Sequence, residues 1–132
     1  MAKRLKAPYF DAYFRAALRG RRLPVRFGVV TAYNPLGRRG TAAANRRRDT
    51  ALRRHLDKMR LKRFRVIGGS KDGAHREPGW GFIAPRETVR ALSSLFEQDA
   101  YFWVASGQVL LGSSTGGKLK PAGTWTARQA RW

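Results

Sequence analysis

Apolar residues recur at the spacing of a helix in three stretches of the chain. The first stretch, residues 8–18, is rich in aromatic side chains and is ended by Gly20. The second stretch, residues 41–62, begins at Thr41 as a predicted N-cap, and the third covers residues 85–98. The inward stripe of the second helix is predicted to consist of Asn45, Leu52, Leu56 and Met59.

Short runs rich in β-branched and aromatic residues predict strands between these helices. The runs cover residues 25–33, 63–67, 80–84, 100–105 and 109–112, and the last two read as a hairpin across Ser106-Gly107. Residues 68–78 are expected to form a polar loop. The predicted order is α-β-α-β-β-α-β-β, which indicates an α+β fold with about five strands in one mixed sheet and three helices.

The predicted elements fill one compact domain, residues 8–112, which is an ordinary length for a single core. Residues 1–7 are expected to be a basic N-terminal arm, and residues 113–132, rich in Gly, Ser, Thr and Lys, a flexible basic C-terminal tail. The first residues lack the apolar run of a signal peptide, and no stretch is apolar enough to cross a membrane. These features predict a cytoplasmic protein with no membrane partner.

The charge is the most unusual property of the composition. The chain carries 28 Lys and Arg against 8 Asp and Glu, a net charge of +20, and +17 of it lies in residues 1–65. Such an excess destabilises a compact state through self-repulsion, and a polyanionic partner is its usual explanation. The sequence therefore predicts a nucleic-acid-binding protein.

The predicted contacts to phosphate lie on the second helix, in the loop before it and in the arm. They are Arg46, Arg47, Arg53, Arg54 and Arg60 on the helix, Arg38 and Arg39 in the loop, and Lys3, Arg4 and Lys6 in the arm. The sequence contains none of the motifs that read bases in DNA or single-stranded RNA. Recognition of RNA by shape and phosphate is therefore favoured over DNA, and a ribonucleoprotein such as the ribosome is a possible setting.

Four polar residues flank the predicted elements: Asn34, Asn45, Glu77 and Gln98. They would form a small polar pocket if the fold brings them together. The alternative is structural: Asn34 caps a turn, Asn45 and Gln98 satisfy buried backbone groups, and Glu77 pairs with an arginine. A pocket built mainly of amides would bind a ligand rather than react with it.

Catalytic candidates are few. His75 and Glu77 are close enough in sequence to act as a general acid–base pair, which leaves a small nuclease or nucleotide-processing enzyme as an alternative function. A basic protein that inhibits an acidic protein partner is a second alternative. The chain has no cysteine and shows no spacing typical of metal ligands, so neither a metal nor a cofactor is expected.

Several segments occur in an order that is found in one bacterial family. They are Thr31-Ala32-Tyr33-Asn34-Pro35 with Gly37, then Asn45, Glu77-Pro78-Gly79-Trp80, and Phe96-Glu97-Gln98-Asp99-Ala100. With these segments, residues 8–112 resemble the domain of unknown function 3293. The resemblance implies a single compact domain and marks Asn34, Asn45, Glu77 and Gln98, but it implies no activity. The chain is more basic than the family pattern, and its 68–78 loop carries Lys71, His75 and Arg76.

Overall fold

The computed structural model describes residues 5–132, so Lys3 and Arg4 of the predicted arm lie outside the described residues. Within these residues the fold consists of two α-helices and seven strands. In chain order they are β1 (Tyr13–Ala16), β2 (Arg26–Thr31), α1 (Ala42–Lys58), β3 (Arg63–Gly69), β4 (Arg76–Phe82), α2 (Arg86–Leu95), β5 (Ala100–Ala105), β6 (Gln108–Ser113) and β7 (Lys120–Thr124). Short 3₁₀ turns occupy Ala7–Asp11 and Pro35–Gly37.

The seven strands form one curled sheet in the order β1-β3-β4-β2-β5-β6-β7, and each neighbouring pair is antiparallel. The chain that follows β7 returns to the far edge of this sheet. There the Phe14 N–H donates to the Arg128 carbonyl at 2.8 Å, and the Ala130 N–H donates to the Phe14 carbonyl at 2.8 Å. These bonds satisfy backbone groups of edge strand β1 that would otherwise be open to pairing with another chain.

The two faces of the sheet carry separate apolar clusters, because successive strand residues point to opposite sides. On β2, Phe27 and Val29 join the cluster that fills the curl, whereas Val30 joins the cluster beneath the helices. Helix α1 contributes Leu52 and Leu56 to that second cluster. One face of the curled sheet therefore packs against itself, and the other face packs against the two helices.

Helix α2 lies unusually close to the sheet. A side chain on Gly28 of β2 would overlap both methyl groups of Val89, so only glycine lets α2 settle at this distance. Val89 is fully buried there, and Leu92 is nearly so. This contact fixes the position of α2, whose C-terminal end lies beside α1.

The α+β class and the compact domain are confirmed, but the predicted helix over residues 8–18 is wrong. Its first part is a 3₁₀ turn, and Tyr13–Ala16 is strand β1, paired with β3 from Tyr13↔Gly69 to Ala16↔Val66. Phe14 is buried against Phe102 and Trp125. The aromatic residues whose spacing suggested a helix therefore do not form one helical face, and Phe14 packs against residues that are distant in sequence.

The flexible tail over residues 113–132 is a second correction. Strand β6 extends to Ser113, and Lys120–Thr124 forms β7 at the edge of the sheet. Trp125 is 6% exposed and stacks on Phe14 with ring centroids 5.3 Å apart. The additional strands β1 and β7 raise the number from about five to seven, the helices number two rather than three, and the neighbouring strands are antiparallel rather than mixed.

The ends of several elements also differ from the prediction. Helix α1 has Thr41 as its N-cap, as expected, but it ends at Lys58, and Arg60 follows with a left-handed backbone (φ 57°). Met59 is consequently 45% exposed instead of inward, and Arg60 lies beyond the helical stripe. Strand β4 begins at Arg76, within the predicted polar loop. The predicted hairpin is confirmed, with positive φ at both Ser106 and Gly107.

Candidate functional site

The outer surface of α1 carries four arginines in two stripes. Arg46 and Arg53 form one stripe and Arg47 and Arg54 form a second, about 100° further around the helix, and the members of each stripe are separated by seven residues. All four side chains are exposed. Within residues 5–132 none of them forms an ion pair. Their guanidinium groups are therefore available to an external anion.

The two aspartates of α1 form their ion pairs with arginines of β3, although the charge of Asp57 also attracts that of Arg53 one turn away. Asp49 binds Arg65 of β3 through two bonds of 2.8 and 2.9 Å, and Asp57 binds Arg63 at 2.7 Å. The hydrogen bond from Arg63 lowers the pKa of Asp57 below its usual range. Both β3 guanidinium groups also lie over the ring of Trp80, at 4.7 Å for Arg63 and 3.8 Å for Arg65. The acids of α1 thus anchor the helix to the sheet.

The loop before α1 extends the basic surface. Arg38 and Arg39 are exposed, and within the described chain neither forms an ion pair. A side chain on Gly37 would come within 3.8 Å of the ammonium group of Lys6, so Lys6 lies against the same loop. Lys6, Arg38 and Arg39 therefore add positive charge near the N-terminal end of α1.

Asn34 organises this loop through its side chain and an unusual backbone. Its backbone is left-handed (φ 51°), a conformation that asparagine tolerates better than most residues. Its Oδ1 accepts from the Gly40 N–H at 2.9 Å and from Asn45 Nδ2 at 3.0 Å. In return the Asn34 N–H donates to Asn45 Oδ1 at 2.9 Å, and Asn34 Nδ2 donates to Glu77 at 2.7 Å. Three of the four predicted polar residues therefore meet.

Glu77 lies on the inner side of this cluster. Burial raises the pKa of its carboxyl group, and the hydrogen bond from Asn34 opposes that shift only in part. The phenol of Tyr9 is nearby, and its pKa is raised by burial first and then by the charges of Asp99 and Glu77. The cluster therefore joins the loop, α1 and β4 around a carboxyl group that resists ionisation.

Gln98, the fourth predicted residue, does not join the cluster. Its Nε2 donates to the carbonyls of Tyr33 and Phe96 at 3.0 and 3.1 Å, which is the structural role considered as an alternative. Asn45 also bonds backbone, but Glu77 accepts from Asn34 rather than pairing with an arginine. Asn34, Asn45 and Glu77 therefore come together as the pocket interpretation predicted, while Asn45 and Gln98 also bind backbone groups as the structural interpretation predicted.

Arg48 is a structural residue that the sequence analysis missed. Its Nε donates to the Ala32 carbonyl at 2.9 Å and its Nη2 to the Phe96 carbonyl at 2.6 Å, while Nη1 lies 3.5 Å from Glu97. It therefore links α1 to the ends of β2 and α2. Its position three residues after the inward Asn45 is the signal that distinguishes it from its exposed neighbours Arg46 and Arg47.

His75 and Glu77 are not brought together as a catalytic pair. His75 is exposed before β4, and the pKa of Asp72 nearby is lowered chiefly by hydrogen bonds from the Ala74 N–H and the Ser70 hydroxyl. Glu77 is partly buried and bound to Asn34, and no hydrogen bond between the two side chains exists among the described residues. Residues 5–132 contain no group of three or more His, Asp or Glu side chains that could hold a metal ion.

No helix in the described part of the chain is both long and apolar enough to cross a membrane. The comparison with curated proteins found no match, and neither did the comparison with solved structures.

One family of proteins matches residues 30–101, which is more than half of the chain. The matched region contains the loop at Asn34, α1, β3, β4 and α2, and with them the polar cluster and the arginines of α1. Strands β1, β6 and β7 lie outside it. The resemblance inferred from the sequence is confirmed over this region, and the chain belongs to the DUF3293 family, described as proteins of unknown function.

Proposed function

We propose that this protein binds nucleic acid without catalysing a reaction, prefers RNA, and serves as a component of a ribonucleoprotein. The phosphate-binding surface extends over α1 and the loop that precedes it. Its residues are Lys6, Arg38, Arg39, Arg46, Arg47, Arg53, Arg54 and Arg60.

One observation carries this proposal: four arginines of α1, Arg46, Arg47, Arg53 and Arg54, are exposed and without ion pairs among residues 5–132, although two aspartates lie on the same helix. A solvated helix ordinarily alternates the signs of its charges so that neighbours four residues apart attract one another. Here both aspartates form their ion pairs with β3, and among the four free arginines Asp57 offsets only part of the charge of Arg53. Such a positive surface is disfavoured in isolation and becomes favourable when an anion binds.

The spacing of the arginines suits a phosphate backbone. Residues seven positions apart on an α-helix are separated by about 10 Å along its axis. Arg46 and Arg53 therefore form one line of charge on α1, and Arg47 and Arg54 form a second. Each guanidinium group can donate two parallel hydrogen bonds to a phosphate, so this helix would contact several phosphates at once.

The preference for RNA is inferred from the chemistry of this surface, which is rich in positive charge. It provides charge but no recognisable device for reading the edges of DNA bases, and sequence-specific binding is not proposed. Folded RNA is recognised to a large extent by shape and phosphate contacts, which this surface supplies. The same argument favours association with a large folded RNA over binding to a defined DNA site.

The proposal is tested by removing charge from α1 and comparing the result with an equal loss of charge elsewhere. The test variant combines Arg46→Gln, Arg47→Gln, Arg53→Gln and Arg54→Gln. The control combines Arg19→Gln, Arg21→Gln, Arg22→Gln and Arg26→Gln, four exposed arginines in the segment that runs from β1 to the first residue of β2. Binding of both to an RNA hairpin and to the DNA hairpin of the same sequence is measured by fluorescence anisotropy.

We expect the α1 variant to lose at least about a hundredfold in affinity for RNA, since each charge-assisted bond contributes about 1.5–3 kcal/mol before solvent screening. The control should lose far less, and the wild type should bind the RNA hairpin more tightly than the DNA. Equal losses in the two variants would contradict the assignment to α1. Cleavage of RNA by the wild type, abolished by His75→Ala, would replace the proposal with the nuclease alternative.

A further inference from the structure

A groove runs between α1 and the C-terminal end of α2, beside the arginines just described. Its volume is about 470 Å³. The lining residues are Ala44, Arg47, Arg48, Ala51, His55, Leu95 and Phe96. The groove therefore combines an apolar interior with basic side chains.

The apolar surface of the groove is built from small residues on one side and large ones on the other. Because Ala44 and Ala51 have small side chains, a ligand in the groove can come close to the backbone of α1. Leu95 is 57% exposed and presents an aliphatic surface to the groove. The His55 ring meets Phe96 edge to face, with centroids 5.6 Å apart and planes at 90°. A flat, apolar group could lie against Leu95 and His55.

The positive charge lies along one side of this groove. Arg47 lines it, Arg54 follows seven residues later on the same side of α1, and Lys58 follows one turn after Arg54. The guanidinium group of Arg48 binds two backbone carbonyls and Glu97, so it is not counted among the groups that bind the ligand. A ligand complementary to this arrangement has a flat apolar part beside a line of negative charges.

We propose that the groove holds an unstacked nucleobase of a single-stranded RNA segment while Arg47, Arg54 and Lys58 bind the adjoining phosphates. This inference rests on the proposed function and narrows it to unpaired RNA. Bases in a duplex are stacked and paired, so their faces cannot reach the apolar surface of the groove. Proteins that bind single strands commonly combine a positive track with a surface on which bases stack.

The test fills the groove without altering its charge. Ala51→Phe places a ring inside the groove, and Ala43→Phe makes the same substitution at an exposed α1 alanine that does not line it. His55→Ala removes one ring from the groove wall. Binding of each protein to a single-stranded uridine oligonucleotide and to an RNA duplex is measured by anisotropy, with melting temperatures recorded by circular dichroism.

Ala51→Phe should weaken binding of the single strand about tenfold, as expected for the loss of one stacked base, and leave duplex binding unchanged. His55→Ala should weaken single-strand binding several-fold, and Ala43→Phe should bind like the wild type. Unchanged single-strand affinity in Ala51→Phe would overturn the groove proposal while leaving the proposed function intact. A wild type that binds neither RNA would overturn both.

A polyglutamate peptide provides the comparison with a protein partner. We expect it to bind weakly and equally to the wild type and to Ala51→Phe, because it offers charge without a flat apolar group. Tight binding of the peptide that Ala51→Phe abolishes, with RNA binding unaffected, would overturn the proposal in favour of an acidic protein in the groove.

Discussion

Arg65 and Asp49 form a two-point ion pair, with Nη1–Oδ1 at 2.8 Å and Nη2–Oδ2 at 2.9 Å. The same guanidinium group lies 3.8 Å from the centroid of the Trp80 ring, which is 7% exposed. One side chain therefore joins a helix, a strand and the core. The pair removes an acid from the neighbourhood of the free α1 arginines and fixes the helix that carries them.

The first prediction concerns the stability that this pair contributes. Asp49→Asn removes the charge and one of the two acceptor oxygens while preserving the shape of the side chain. We expect a loss of about 1–2 kcal/mol in the free energy of unfolding, the value of a charge-assisted hydrogen bond reduced for partial exposure of Arg65. Urea denaturation followed by circular dichroism measures it.

Asp57→Asn is the matched control. It makes the same change in the second pair, where the side chains of Arg63 and Asp57 are 30% and 51% exposed. Its loss should be smaller than that of Asp49→Asn, since solvent screens exposed pairs more strongly. An equal loss in the two variants would contradict the larger contribution assigned to the less exposed pair, since both arginines lie over Trp80.

The second prediction concerns the C-terminal segment. Trp125→Ala should destabilise the protein by about 3–5 kcal/mol, because it empties a buried position between Phe14 and Phe27. Since small domains are stable by only about 5–15 kcal/mol, the melting temperature should fall sharply. Thr126→Ala, at the exposed neighbouring position, should leave it almost unchanged. A melting temperature that Trp125→Ala does not alter would support the tail predicted from the sequence.

The sequence predicted the elements whose pattern is local. The N-cap at Thr41, the inward stripe of Asn45, Leu52 and Leu56, and the turn at Ser106-Gly107 were all confirmed. Strands β1 and β7 were missed because their stability comes from distant partners. Phe14 is in contact with Trp125 across the closing edges of the sheet, and no local pattern records that contact.

In the candidate site, too, some features follow from the local sequence and others depend on contacts between distant residues. Asn34, Asn45 and Glu77 could be marked from sequence, and they do meet. The partners of the other arginines could not be predicted, because Arg63 and Arg65 bind carboxylates of α1, and Arg48 binds carbonyls, that only the fold brings near. Arg48 and Arg46 are two residues apart on one helix, yet Arg48 is held by backbone carbonyls of β2 and α2.

The third prediction concerns Glu77 and pH. Burial raises the pKa of this carboxyl group in the folded protein, so over a window above its ordinary pKa the folded state holds a proton that the unfolded state has lost. The contribution of Glu77 to stability is therefore greatest below the ordinary pKa and declines as the pH rises to the raised value. Above the raised pKa, Glu77 is ionised in both states, and the free-energy cost of burying its charge no longer changes with pH.

Glu77→Gln isolates this contribution, because glutamine keeps an oxygen that can accept from Asn34 but does not titrate. The free energy of unfolding of both proteins is measured by urea denaturation from about pH 4 to about pH 8, the range that brackets the shift. The stability of the variant relative to the wild type should rise with pH up to the raised pKa of Glu77 and should then remain constant. A difference that does not vary with pH, or one of opposite sign, would contradict the account.

The salt dependence of RNA binding tests the central claim most directly. If the wild type contacts about six phosphates of a single strand, the slope of log affinity against log salt should be about −4. Neutralising Arg46, Arg47, Arg53 and Arg54 should reduce the magnitude of that slope by about 3, since four of those contacts are lost. A wild-type slope near zero, or the same slope in both proteins, would contradict a phosphate-binding surface on α1.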